Sequence, residues 1–293
     1  MDDIWGEIKK QFKYGNWLIR LLLINVGVFL VIKILDLFSF LSAQPSWGSI
    51  FVNFLALKAS FKGFLFSPWG IFTYMFVHQG FWHLLFNLLW FYWFGIIFLR
   101  FLDEKKLFRL YILGGVGGGL IFMLAYNFLP VFKPSLPYAI IIGASASVLA
   151  IVVAISAYVP DYVVYVFLIG PVKIKYIAIV SIILDILMIP YGANAGGHIA
   201  HLGGAIIGYV FAMNIKKGKD ITNFFNIKLK RRRFPKMNVT KNRYRVRDDW
   251  EYNRIKKEDN ERLDAILDKI AKKGYDSLTD EEKKFLFENS KRN

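Results

Sequence analysis

The chain has 293 residues, of which 55% are hydrophobic and 17% aromatic, and its mean hydropathy is +0.38. Its formal net charge of +16 is concentrated at one end, since 24 of the 38 Lys and Arg residues follow position 215. Soluble domains are about 45–50% apolar, so this composition excludes a single soluble globule and predicts an integral membrane protein with a polar tail. The absence of cysteine excludes disulfide scaffolds, thiolate metal sites and cysteine nucleophiles.

Residues 1–16 are polar and mixed in charge, and no small-residue cleavage site follows the first apolar run. We expect a cytosolic N-terminus followed by an uncleaved signal anchor. About 20 apolar residues are needed to cross a hydrocarbon core of about 30 Å. Six stretches meet or approach that length: 18–38, 71–98, 107–129, 138–159, 176–189 and 199–215. Because the last two are short and contain Gly or polar residues, we predict an all-α membrane protein whose six transmembrane helices form a compact bundle over residues 17–215.

The distribution of basic residues predicts the orientation of this bundle. Ten Lys and Arg residues lie in the N-terminus and in the second and fourth connections, against three in the other three connections. Cytoplasmic loops carry an excess of Lys and Arg, so both termini are predicted to be cytoplasmic, which an even number of spans requires. The first external connection, residues 39–70, is rich in Trp and Phe and is expected to lie at the membrane interface.

The third apolar stretch contains five closely spaced glycines, which form overlapping GxxxG spacings: Gly114, Gly115, Gly117, Gly118 and Gly119. Glycines at that spacing let helix backbones approach closely in lipid. We therefore predict that this stretch packs tightly against neighbouring helices.

The segment 216–257 holds 16 Lys and Arg residues against 4 acidic ones. High charge and low apolar content predict a disordered cytosolic linker. Its expected partner is the anionic leaflet of the lipid bilayer, which attracts each basic residue by about 1 kcal/mol. A basic run can also bind nucleic acid, but we expect no nucleic-acid partner.

Residues 258–293 are predicted to form a small helical module. Four apolar residues recur at helical spacing: Leu263, Ile266, Leu267 and Ile270. Gly274 follows where a C-terminal cap is expected, and Thr279 with Glu282 has the spacing of a capping box that opens a second helix. Nothing in this short cytosolic helical hairpin suggests chemistry, so we interpret it as an interaction or regulatory module with a cytosolic partner.

Polar side chains inside a membrane are costly and are therefore candidates for function. The four histidines of the chain all lie in or beside apolar stretches, at positions His78, His83, His198 and His201. His83 and Asn87 are four residues apart and share one helix face, while His78 lies on the helix or in the loop that enters it. His83 and Asn87 can donate hydrogen bonds into a cavity, or they can tie helices together.

The fourth stretch contains a serine among small residues, Gly143, Ala144, Ser145 and Ala146. Small neighbours leave room for a substrate carbonyl, and a helix N-terminus supplies unpaired N–H groups, as an acyl-transfer nucleophile needs. Small residues in membrane helices also serve packing alone. Ser147 is about 200° further around the helix, so both hydroxyls cannot face one cavity.

The sixth stretch opens with His198 and His201, and a Gly204-x-x-x-Gly208 face follows His201 by one turn. These glycines would bring the imidazole of His201 within reach of a neighbouring helix. Two histidines could share a metal, but zinc prefers three or four ligands, so we predict no metal site and no cofactor. Asp185 is expected to pair with a backbone or side-chain donor and is left out of the predicted site.

Together, the segment containing His78, His83 and Asn87, the Gly-x-Ser element, and the segment from Ala200 to Gly204 resemble the rhomboid intramembrane serine proteases. Six spans, cytoplasmic termini and an amphipathic first external loop are similar as well, and the terminal extension resembles those of some bacterial rhomboids. The resemblance implies a multi-pass protein of a bacterial cytoplasmic (inner) membrane that hydrolyses single-pass transmembrane proteins without a cofactor.

Carried over by motif, the resemblance implies Ser145 as nucleophile and His201 as general base. His83, Asn87 and the backbone N–H of Ser145 would form the oxyanion hole. His201 is preferred over His198 because only His201 has glycines three and seven residues later.

Three positions depart from the family pattern: Ala146 follows the serine in place of glycine, Gly70 follows Trp69 in place of arginine, and Leu149 replaces an aromatic residue. None of them removes a reacting group. Two other functions stay open: a catalytically inactive rhomboid-like protein that binds membrane-protein clients, and a transporter or channel. A transporter would more naturally show an internal repeat.

Overall fold

The computed structural model describes residues 4–191, 194–220, 222 and 249–290. The chain divides into two compact units, residues 1–227 and 228–293. Of the predicted linker 216–257, residues 221 and 223–248 lie outside the described residues.

The first unit is almost entirely helical. Its helices, in chain order, are α1 (Ile4–Tyr14), α2 (Trp17–Leu41), α3 (Trp47–Leu55), α4 (Phe61–Phe66), α5 (Gly70–Thr73), α6 (Phe81–Phe101), α7 (Glu104–Phe128), α8 (Ser145–Tyr158), α9 (Ile174–Met188) and α10 (Ala195–Lys216). Four of the described helices, α2, α6, α7 and α10, are long and apolar enough to cross a membrane. The apolar helices α8 and α9 are shorter, with 14 and 15 residues.

Two short antiparallel strand pairs accompany the helices. Strand β1 (Leu57–Lys58) pairs with β2 (Ile140–Ile141), and β3 (Val163–Val166) pairs with β4 (Gly170–Lys173). These strands depart from the predicted all-α fold, although the unit is mostly helical. The first pair matters for function because it fixes the chain just before Ser145.

Two of the predicted apolar stretches are not continuous helices. The stretch 71–98 begins with α5 and a 3-10 turn, Tyr74–Phe76, and only then enters α6. The stretch 138–159 begins with β2, and its helix starts at Ser145, two residues after Gly143 with φ +117°. A residue with that backbone conformation cannot continue a right-handed helix, so apolar content alone gives the wrong boundary.

Helices α7, α8 and α10 pack with their backbones almost in contact. A Cβ atom on Gly204 would overlap the carbonyl oxygen of Ala146, and one on Gly118 would lie 2.6 Å from the carbonyl oxygen of Ala200. A Cβ atom on Gly208 would likewise overlap the carbonyl oxygen of Ala150. The predicted packing role of both glycine-rich segments is confirmed, and α8 is the central, buried helix of the three.

The connection between α2 and α6 contains α3, α4 and several exposed aromatic side chains, among them Trp47, Phe54 and Phe66. The indole N–H of Trp69 donates to the carbonyl oxygen of Phe54 at 2.7 Å, and the hydroxyl of Thr73 donates to that of Leu55 at 2.6 Å. The side chain of Trp69 therefore anchors the connection. The arginine that the family pattern places after this tryptophan is Gly70 here.

The second unit contains helices α11 (Asp249–Lys273) and α12 (Asp280–Ser290). Gly274 ends the first with φ +78°, as predicted. The N–H of Thr279 donates to Oε2 of Glu282 at 2.7 Å, and the N–H of Glu282 donates to the hydroxyl of Thr279 at 3.4 Å. The predicted capping box is thus confirmed. Lys269 also bonds both carboxylate oxygens of Glu282, at 2.9 and 2.8 Å.

Candidate active site

Ser145 is the first residue of α8, and the chain before it is held by hydrogen bonds. The N–H of Gly143 donates to the carbonyl oxygen of Tyr74 at 2.9 Å, and the N–H of Ala144 donates to Nε2 of His78 at 3.3 Å. His78 therefore lies in the loop that enters α6 and supports the turn before the serine. The sequence suggests no such supporting role for His78.

The hydroxyl of Ser145 lies 2.6 Å from Nε2 of His201. This distance follows from the packing of α10 on α8, because Gly204, one turn after His201, lets α10 rest directly on the backbone of Ala146. A larger residue at Gly204 would separate the two helices. The structure thus brings together the two side chains that the sequence analysis proposes as nucleophile and base.

Ser147 faces the opposite side of α8. Its side chain is fully buried, and its oxygen lies 3.8 Å from the sulfur of Met75. The two serines point in different directions, as their spacing predicts. Of these two serines, only Ser145 has a hydrogen-bond contact with an imidazole among the described residues.

His83 and Asn87 lie in the first turns of α6. A Cβ atom on Gly143 would lie 2.9 Å from Nε2 of His83, so the imidazole stacks closely over the glycine that precedes the serine. Asn87 is buried, and its amide donates one proton to the carbonyl oxygen of His83 at 2.9 Å. The amide carries a second proton. Both side chains therefore belong to the helix that borders the Ser145 turn.

Asp185 is the residue of this site whose part the sequence analysis misses. Its Oδ1 atom lies 2.7 Å from Nδ1 of His201 and 2.8 Å from Nδ1 of His198. The expectation that Asp185 pairs with a donor is confirmed, and its carboxylate lies directly beside His201, although the predicted site does not include Asp185. A lone acid in an apolar stretch is a visible signal, yet its partner depends on how α9 packs on α10, which spacing along the chain does not give.

The same cluster also bears on the prediction that no metal is bound. One ligand atom each from Asp185, His198 and His201 lies within 4.8 Å of the others. The spacing along the chain brings together only His198 and His201, whereas the packing of α9 on α10 places the carboxylate of Asp185 beside them. These atoms are already paired with one another through hydrogen bonds.

Residues 66–217, just over half of the chain, match the rhomboid domain family. The chain belongs to the rhomboid family. Its C-terminal residues 248–292 match a separate family of unknown function, DUF6576.

RHOMBOID-like protein 12, mitochondrial, of Arabidopsis thaliana is a relative of this rhomboid. It is 28% identical over 155 residues, which amount to 50% of this chain and 46% of the relative. The chain therefore matches less than half the length of that protein. Family membership and the apolar helices together indicate a multi-pass membrane protein.

Proposed function

We propose that this rhomboid is an intramembrane serine endopeptidase that hydrolyses peptide bonds in or near transmembrane segments of membrane proteins. The observation that carries the proposal is the 2.6 Å distance between Oγ of Ser145 and Nε2 of His201. A serine hydroxyl is a weak nucleophile until a base takes its proton. Both residues are half-buried, Ser145 at the first position of α8 and His201 in the second turn of α10.

In the first chemical step, Oγ of Ser145 attacks the scissile carbonyl while Nε2 of His201 takes the hydroxyl proton. The tetrahedral intermediate collapses when the C–N bond breaks and His201 gives that proton to the leaving amine. A water molecule then attacks the acyl-enzyme with His201 again as base, which releases the carboxylic acid product and restores Ser145. General base catalysis of this kind contributes about 10²–10⁴-fold in rate.

The negative oxygen of the intermediate requires hydrogen-bond donors. The N–H of Ser145 lies in the first turn of α8, where no carbonyl of the preceding turn accepts it. His83, which lies over Gly143, and the second amide proton of Asn87, one turn further along α6, are the side-chain donors that we assign to this oxygen. Each such donor is worth about 2.7–4 kcal/mol of transition-state stabilisation.

We further propose that α2, α6, α7, α8, α9 and α10 all cross the membrane, with both termini in the cytoplasm of a bacterial cell. Helix α8 is about 21 Å long at 1.5 Å per residue, less than the roughly 30 Å core. Helix α8 does not have to match the full thickness of the core, however, because α6, α7 and α10 pack around it and bury its side chains. The substrates would be single-pass proteins whose helices unwind near small or helix-breaking residues.

The test is covalent labelling with a fluorophosphonate probe on the detergent-solubilised full chain, mapped by mass spectrometry. In this reaction the Ser145 oxygen bonds to phosphorus, fluoride leaves, and His201 takes the proton. We expect an adduct at Ser145 that disappears in Ser145→Ala and in His201→Ala but persists in the matched control Ser147→Ala.

Cleavage of a single-pass reporter in proteoliposomes should follow the same pattern. An adduct at Ser147, or equal cleavage by wild type and Ser145→Ala, would contradict the assignment. Absence of labelling in protein with a cooperative thermal transition would instead favour the alternative function, an inactive rhomboid-like protein that binds membrane-protein clients.

A further inference from the structure

We propose that Asp185 is a positioning residue that holds His201 in its reactive tautomer, with His198 fixing the carboxylate. This proposal builds on the proposed protease function and extends the serine–histidine pair by two residues. It starts from one atom, Oδ1 of Asp185, which lies within hydrogen-bonding distance of two imidazole nitrogens.

The hydrogen bond determines which nitrogen of His201 carries the proton. A carboxylate only accepts hydrogen bonds, so Nδ1 of His201, 2.7 Å from Oδ1, must be the protonated nitrogen. In a neutral imidazole the other nitrogen, Nε2, then carries the lone pair. That lone pair points at the hydroxyl of Ser145, 2.6 Å away. Asp185 thus selects the tautomer in which His201 can act as a base.

The second histidine restrains the carboxylate. Nδ1 of His198 donates to the same oxygen at 2.8 Å, and the two imidazole rings are nearly perpendicular, with centroids 5.8 Å apart. Since His198 and His201 are three residues apart on α10, they approach Asp185 from one helix face. One carboxylate oxygen held by two donors cannot rotate away from His201 without losing both bonds.

The burial of α9 supports a specific role for this acid. Its buried residues are Ile174, Ala178 and Asp185, and most other residues of the helix have exposed apolar side chains. A buried carboxylate is costly unless its oxygens are hydrogen-bonded. A role in orienting His201 therefore explains the buried Asp185 better than a role in packing does.

A metal ion at the same three ligands would have the opposite effect. To bind a metal through Nδ1, His201 must lose the Nδ1 proton and keep the one on Nε2. Nε2 would then donate to Ser145 and could no longer accept its proton. The two interpretations therefore predict different responses to added Zn²⁺ and to chelators.

The experiment measures kcat and KM with a single-pass reporter in proteoliposomes, together with the ¹⁵N NMR spectrum of histidine-labelled protein. The full chain contains four histidines, so single substitutions assign the signals. For Asp185→Leu we expect kcat to fall about 10²–10⁴-fold, the contribution of a general base, with KM unchanged. The ¹⁵N spectrum should show His201 changing from the Nδ1–H tautomer to a mixture.

Two further pairs of variants separate orientation from folding. Asp185→Asn keeps the shape of the side chain but offers an N–H₂ donor to Nδ1 of His201, so it should favour the Nε2–H tautomer and lower kcat as Asp185→Leu does. His198→Ala should lower kcat less than Asp185→Leu, and His198→Asn, which restores an N–H donor, should recover part of the loss. The control Asp161→Asn removes an acid that pairs with Lys173 and Lys175 outside this site and should change neither readout.

The proposal is overturned if Asp185→Leu keeps the wild-type kcat and tautomer. It is also overturned if turnover requires Zn²⁺ and is abolished by a chelator. If Asp185→Leu does not fold, Asp185→Asn and the two His198 variants still decide the question. Failure of the protease function is a separate result, because it would appear as unchanged turnover in Ser145→Ala, while the tautomer of His201 remains measurable in that variant.

Discussion

The two units of the chain hold their helices together by opposite means. In the first unit, α7, α8 and α10 approach until glycines meet carbonyl oxygens, as Gly204 does with Ala146. In the second unit, Lys269 of α11 pairs with Glu282 of α12, and the apolar contribution is small, with Ile266 and Leu278 buried. Close backbone contact leaves no room for adjustment, whereas exposed charged side chains can rearrange.

This difference explains where chemistry is found. A serine and an imidazole must meet within a fraction of an ångström, and an error of about 1 Å can cost about 10²-fold in rate. Helices whose backbones touch provide that precision, since their separation cannot vary with rotamers. Ser145, His201 and Asp185 of the first unit therefore meet at fixed distances, while Lys269 and Glu282 of the second unit link its two helices.

The largest effect is expected from filling the space between α10 and α8. In Gly204→Ala the new methyl group would overlap the carbonyl oxygen of Ala146, which is backbone and cannot move aside cheaply. Overpacking of this kind costs about 1–3 kcal/mol of stability, and the helices must also separate. We expect at least a 10²-fold loss of fluorophosphonate labelling at Ser145 and a lower thermal midpoint.

The matched control is Gly27→Ala in α2, where a Cβ atom would meet nothing within 4 Å. Alanine favours helix over glycine by about 1 kcal/mol, so this variant should be as stable as wild type or more stable. Equal labelling in both variants would show that the glycine contacts do not determine the distance between Ser145 and His201.

The next effect concerns a polar residue of the first unit that serves the site. Asn87→Ala removes one of the proposed oxyanion donors, worth about 2.7–4 kcal/mol, and should lower kcat by about 10²–10³-fold. Asn214 makes the same kind of bond to its own helix, donating to the carbonyl oxygen of Val210 at 2.8 Å. Asn214→Ala is therefore the control and should leave kcat unchanged. A comparable loss in the two variants would mean that Asn87 acts through helix structure.

A smaller loss is expected from Gly143→Ala. Its φ of +117° strains any residue with a side chain, at about 1–3 kcal/mol, and its Cβ atom would press on His83. We expect kcat to fall about 10- to 10²-fold, which is less than the loss expected when one oxyanion donor is removed entirely. Gly170→Ala shares the positive φ but meets nothing within 4 Å, so it isolates the backbone strain. If both variants lose stability but neither loses kcat, the contribution of His83 to turnover does not depend on the space left by Gly143.

Sequence reasoning succeeds here where spacing along one helix decides the geometry. The opposed directions of Ser145 and Ser147, and the close contact made by Gly204, follow from 3.6 residues per turn and from the absence of a side chain. The capping box of Thr279 and Glu282 is equally local. Such features require no knowledge of which helices are neighbours.

It fails where the geometry depends on packing between distant segments. The bond from Ala144 to His78 spans 66 positions, and the link from Asp185 to His201 depends on α9 lying against α10. Hydropathy also misplaces the start of α8, because the residues before Gly143 are apolar but extended in β2. Apolar content reports burial, and both helices and strands can be buried.

The smallest expected effect lies in the second unit and depends on pH. The bond from Lys269, followed by that from the N–H of Thr279, holds the pKa of Glu282 at about 2, below its ordinary value of 4.5. A carboxyl whose pKa is lowered on folding stabilises the fold above its unfolded pKa. The contribution is therefore complete above about pH 4.5 and is lost as the pH falls toward 2.

Hydrogen exchange of the α12 amides in the full chain would measure this contribution. We expect protection to be constant from neutral pH to about 4.5 and to decline below it. Glu282→Gln should lose protection at neutral pH, and the control Glu281→Gln should retain it.

Salt should weaken the effect, since exposed charges are screened within about 8 Å at physiological ionic strength. The response of Ser145 labelling to Gly204→Ala should be insensitive to salt, because that contact involves no charge. A salt-independent protection of α12 would mean that its cap, and not the ion pair, holds the hairpin, which would remove the contrast between the two units.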